Sequence, residues 1–203
     1  MIARFADKTP RIAETAWVAE TATVVGDVEL GPGVGVFYSA VVRGDTTPIV
    51  IGENVIVMEN ALIRASAVHP VHIGDHVLVG PMASVSGATI GDEVYLATGS
   101  RIVNGARVGE RSLVRMGAVV HVKTTLPPRT VVPLGWVAIG DPMQLLPAAE
   151  AEAIRSKAVA DALAARSRLE VLVTMSCLIF KAQVLKTPLP HSIYSALCPI
   201  STT

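Results

Sequence analysis

An apolar residue recurs at every sixth position from Ile90 to Val120: Ile90, Leu96, Ile102, Val108, Val114 and Val120. No helix has a period of six, and a lone strand alternates with period two, so the unit is one short strand plus one tight turn. Three units close a triangular coil, and stacked coils make a parallel β-helix. The same beat marks Ile12, Val18, Val24, Leu30, Val36 and Val42, then Ile51, Val57 and Ile63, then Ile73, Val79 and Val85. The step from Val85 to Ile90 is one residue short. All eighteen markers are Ile, Val or Leu, whereas a valine-rich sandwich predicts alternation without a fixed register. Grouped by threes, the markers predict about six coils, an all-β fold.

Outward columns follow from the same register. Behind the first strands stand Ala13, Gly31, Gly52, Gly74, Gly91 and Gly109, which suits a corner that needs either φ > 0 or close backbone approach. Small residues at the fifth repeat position (Ala16, Ala22, Ala40, Ala61, Ala83, Ser100, Ala106, Ser112 and Ala118) let the chain turn over a narrow prism. Two insertions interrupt the beat: Arg43-Gly44-Asp45-Thr46-Thr47-Pro48, rich in turn residues, and Arg64 to Val71. Leu126-Pro127-Pro128-Arg129 and Val132-Pro133 point to the end of the regular stack, with an irregular return through Gly140-Asp141-Pro142. The β-helix domain is expected over 1–145 and a C-terminal α-helix over 146–170. Pro147 suits a first turn, Glu150 and Glu152 the positive end, Arg166 and Arg168 the negative end. Residues 171–203 read equally as a packed arm or as a non-native extension, and carry no assigned role.

Charge excludes some partners. Seventeen basic residues balance seventeen acidic ones, and only eight aromatic rings are present, so no nucleic-acid partner is expected. No apolar run approaches the roughly 20 residues of a membrane span, and the first residues lack a signal-like run. Both cysteines, Cys177 and Cys198, lie in the tail, so the main domain needs no disulfide and a reducing cytoplasm is expected.

The column behind the third strands carries the chemistry: Val25, Arg43, Arg64, Ser86, Val103 and His121. Coils rise by roughly 4.8 Å, so Arg43, Arg64 and Ser86 should project from adjacent rungs of one face. Two stacked guanidiniums repel unless anions pair with them, and Asp45 and Glu59 are near in sequence. The column is either a salt-bridged subunit interface or an anion site.

Four segments extend this reading. Val42-Arg43-Gly44-Asp45, Ile51-Gly52, Ile73-Gly74-Asp75-His76-Val77 and Val85-Ser86-Gly87-Ala88-Thr89-Ile90-Gly91-Asp92 resemble the γ-class carbonic anhydrase-like family of hexapeptide-repeat proteins. The resemblance implies a left-handed β-helix, a homotrimer, and Arg43–Asp45 salt bridges between subunits. It also implies a zinc ion held between subunits by three histidines. Those ligand positions fall here on Arg64, Pro81 and Ser86, and Ile56, Val57, Met58 and Glu59 replace the family's polar Asn-x-Gln-Asp stretch. Arginine does not deprotonate, proline has no ligand atom, and a lone serine is a poor zinc donor. The expectation is a binding or scaffold homologue without a cofactor, with a small anionic ligand near Arg64.

Two alternatives stand beside it. His69, His72 and His76 cluster around the second insertion, and could form a relocated zinc site in a carbonic anhydrase. Alternatively, His69, His72 or His121 could serve as general base in a coenzyme A-dependent acyltransferase of the hexapeptide type. The family's exit turn, usually Gly-Asn-Pro-Ala, reads Gly140-Asp141-Pro142-Met143.

Overall fold

The structure is a computed structural model, and it describes residues 1–151. It is a left-handed parallel β-helix whose short strands stack into three faces of a prism. On the first face Ile73, Ile90, Val108 and Leu126 lie in one register. On the second, Val79, Leu96, Val114 and Val132 do so. On the third, Val85, Ile102, Val120 and Ala138 follow one another.

The stack has seven complete coils, one more than the markers predict, with seven strands on the second face, and Ile2–Ala3 adds an eighth rung to the third face beside Thr23–Leu30. Leu126, Val132 and Ala138 keep the six-residue step through the region expected to end the stack, and all three are buried. Pro127 and Pro133 do not break it, because they follow the inward residues at places with a particular hydrogen-bond duty. In lower coils Gly109 N–H donates to Leu126 O (2.9 Å) and Arg115 N–H donates to Val132 O (3.1 Å). One coil higher the same two columns hold proline, which has no N–H to donate.

The interior is what the period predicts. From Val24 to Val132 the inward residues are almost wholly inaccessible, while Ile12 and Val18 at the first coil are only partly buried. Ser100 shares a buried corner column with Ala22, Ala40, Ala61, Ala83 and Ala118, whereas Ser112 stands above Val34, Val55, Val77 and Val94, so small size is selected at one corner and not at the other. The glycine column works by close approach. A methyl group on Gly52 would lie 2.2 Å from Asp75 Oδ1 and 3.0 Å from the Gly74 backbone. Left-handed backbone falls instead two residues further on, at Asn54, His76, Glu93, Arg111 and Arg129, with φ from 53° to 61°.

The two insertions behave differently. The first is not a turn: Val41–Ile51 is one continuous strand beside Thr23–Leu30, with a register shift between Gly26 and Val28. The second forms a small loop. Ser66 N–H donates to His69 O (3.0 Å), His69 N–H donates to Ser66 Oγ (3.2 Å), and Thr47 Oγ1 of the first insertion donates to Ser66 O (2.9 Å).

The exit is regular as well. Trp136–Ile139 turns through Gly140 and Pro142 into Gln144–Pro147, which pairs antiparallel with it. A helical turn begins at Ala148. The remainder of the expected helix and the whole of 171–203 lie outside the described residues.

Candidate functional site

The predicted column exists. Arg43, Arg64 and Ser86 occupy consecutive rungs of the third face, Arg43 opposite Arg64 and Arg64 opposite Ser86. Arg64 Nε donates to Ser86 Oγ at 3.1 Å. Arg43 Nε lies 3.1 Å from Asp45 Oδ2 of its own chain. The other Asp45 oxygen is buried and has no donor among the described residues. Among the described residues Arg64 meets no carboxylate, Glu59 included. Pro81 stands at the corner before Ser84–Ser86, its carbonyl accepting from Gly99 N–H at 2.9 Å. Of the positions that the resemblance assigns to zinc ligands, only Ser86 offers a donor oxygen, and a guanidinium already points at it. This trio does not suit zinc. Val57, in the stretch that the resemblance sets against the family's polar one, is an inward core residue, and Ile56 faces outward.

The three clustered histidines separate. His69 sits in the loop against Gly87, where a methyl on that glycine would lie 2.7 Å from His69 Cβ. His72 projects from the first face between Val50 and Thr89. His76 occupies a left-handed corner, 3.5 Å from Asn54 Nδ2. Among the described residues no three His, Cys, Asp or Glu side chains come together within one chain. His121 lies in the same column as Ser86, two rungs higher.

A cleft of about 200 Å³ opens beside His69, lined by Pro70, Thr89, Gly105, Arg107 and Lys123. Glu93 is held below the usual carboxylate range by its hydrogen bonds from Arg111 at a corner, and Arg11 is raised by Glu29.

Residues 70–103 match the model for the hexapeptide repeat of succinyl-transferase. The chain is 34% identical over 127 residues to gamma carbonic anhydrase 1, mitochondrial, of Arabidopsis thaliana, covering 60% of this chain and 46% of that one. It is also 34% identical over 110 residues to a carbonic anhydrase of Geobacillus kaustophilus, covering 54% of this chain and 60% of that one. The chain therefore resembles hexapeptide-repeat proteins over residues 70–103 and γ-class carbonic anhydrases over a longer stretch. The chain spans about half the length of the curated relatives it matches. The chain is also similar to the solved structure of a proposed acetyltransferase from Bacillus cereus. The two share 28% identity at a TM-score of 0.63, over 82% of this chain and 96% of that one. Among the described residues no helix is long and apolar enough to cross a membrane.

Sequence reasoning found His69 but not the cations beside it. A signal for them existed: Gly87, Gly105 and Lys123 stand eighteen residues apart, one per coil at one corner, and Thr89 and Arg107 are spaced likewise.

Proposed function

We propose that this γ-carbonic-anhydrase-like protein is a non-catalytic binding homologue, a homotrimer that takes a small anionic ligand at Arg64. One observation carries the reading: Arg64 is half-buried, hydrogen-bonded to Ser86 and free of any carboxylate among the described residues, while Arg43 on the next rung has Asp45. A guanidinium with one N–H engaged still presents donors to a carboxylate or other oxyanion. Neither Arg64 nor Pro81 supplies a side-chain metal donor, so no hydration step is routed through zinc here. Elemental analysis of protein purified without chelator should find far less than one zinc per chain, with carbon dioxide hydration at background. A full zinc equivalent abolished by His69→Ala or His72→Ala would show that the ligands have moved, and would end this reading.

Two features support assembly. The buried, donor-free oxygen of Asp45 awaits a partner. The outward ladder of the second face is apolar over several rungs, with Trp17 47%, Ile56 39% and Tyr95 46% exposed in the single chain. Light scattering at micromolar concentration should give a trimer; a monomer mass refutes this part. The likeness to the proposed acetyltransferase supports a second reading, acyl transfer with His69 as base. Thermal stabilisation by acetyl-CoA would favour it over the first.

A further inference from the structure

The cleft beside His69 lies past the corner from Arg64 and needs no part of the reading above. Its walls come from three coils and from the second insertion. Thr89 and Arg107 are register neighbours on the first face, both pointing outward. Lys123 occupies the corner three coils above the one that holds His69, in left-handed backbone at φ 56°. Gly105 separates them. A methyl there would sit 3.1 Å from Lys123 Cγ, 3.4 Å from His69 Cε1 and 3.6 Å from His69 Nε2. Glycine therefore keeps the floor open between an imidazole and an ammonium stem. Among the described residues two cations line the cleft and no carboxylate does. Neither Arg107 nor Lys123 joins an ion pair among the described residues, although the chain as a whole is neutral.

We propose that this cleft binds the phosphate group of a small phosphorylated molecule. Arg107 and Lys123 supply two positive charges, matching a dianion. Thr89 and His69 add a hydroxyl and a ring nitrogen for further oxygens. A carboxylate has one charge and two oxygens, and would leave part of this set unused. At about 200 Å³ and open to solvent, the cleft is below the roughly 300–1,000 Å³ of pockets that enclose a drug-sized molecule. It takes a head group and lets the rest of the ligand project. The site is also preformed, because the loop that carries His69 is tied internally through Ser66 and to the first insertion through Thr47.

Calorimetric titration of the full chain with inorganic phosphate, at constant ionic strength, tests this. Saturable binding is expected, weakened about tenfold or more by either Arg107→Gln or Lys123→Gln, as for loss of one charge-assisted contact. Both side chains are exposed, so the two variants should melt like the parent, which a circular dichroism scan verifies. Acetate under the same conditions should bind at least tenfold more weakly. Absence of saturable phosphate binding overturns the proposal. So does binding that survives both substitutions, since it then lies elsewhere, Arg64 included. Equal affinity for acetate would overturn the assignment to phosphate.

Discussion

From Ile90 to Ala138 the chain climbs in unbroken six-residue steps, whereas the coils below contain longer ones, nine residues from Val42 to Ile51 and ten from Ile63 to Ile73. The inward residues do not register the difference: Val42, Ile51, Ile63 and Ile73 are as buried as Ile102 or Val120. Length is therefore free at the corners and fixed along the core. Both insertions use the same corner, between the third and first faces. Arg43 with Asp45, Arg64 and His69 all sit at or beside it, and Arg107 and Lys123 approach it from the regular coils above, so the chemistry gathers along one corner of a spine that is the same throughout.

The heaviest blow to either half should be a charge on the spine. Ile102→Asp places an unpaired carboxylate in the core at a cost on the order of 4 kcal/mol, enough to abolish most folding. Its outward neighbour Arg101→Asp should melt near the parent, and equal melting of the two would overturn the register. A gentler pair addresses the comparison itself. Ile63→Val in the insertion-bearing half and Ile102→Val in the regular half should each cost about 1 kcal/mol by denaturant titration. A cost confined to one half would mean the two cores are packed differently. Next, replacing the loop Ser66–His69 by a short glycine link should lower the melting temperature by only a few degrees, since the spine is untouched, yet remove phosphate binding at the cleft. The smallest effect concerns Glu93 and Arg111. Hydrogen bonds from Arg111 depress the Glu93 carboxyl, so the pair's contribution is present above the ordinary carboxylate range. It is lost as pH falls through the lowered value. Both groups are exposed, so Arg111→Ala should shift melting slightly at pH 7 and not at pH 2.5, with salt erasing the shift.

The spine was legible because a six-residue step admits one architecture, and the column of Arg43, Arg64 and Ser86 followed from it. The seventh coil was not, because Pro127, Pro128 and Pro133 read as breakers and Ala138 is too small to stand out as a marker. The first insertion looked like a turn from Gly44, Asp45 and Pro48, but pairing with Thr23–Leu30 holds it extended. His69, His72 and His76 looked clustered because they are close in sequence. A corner and a change of strand face send them apart, the reverse of what happens to His69, Arg107 and Lys123. Contacts made across coils lie eighteen residues apart, beyond any local pattern.

The prolines of the last coil have a consequence for the length of the particle. A parallel stack has no built-in stopping point, since each rung is a template on which a further strand can grow. At Pro127 and Pro133 two columns that donate upward in every lower coil fall silent. The third face is sealed by Gln144–Pro147 running the other way. A second molecule arriving end-on would meet missing donors on two faces and a reversed strand on the third. The same repeat that could seed a fibre thus closes, at this end of the prism, with a rung that no further strand can copy.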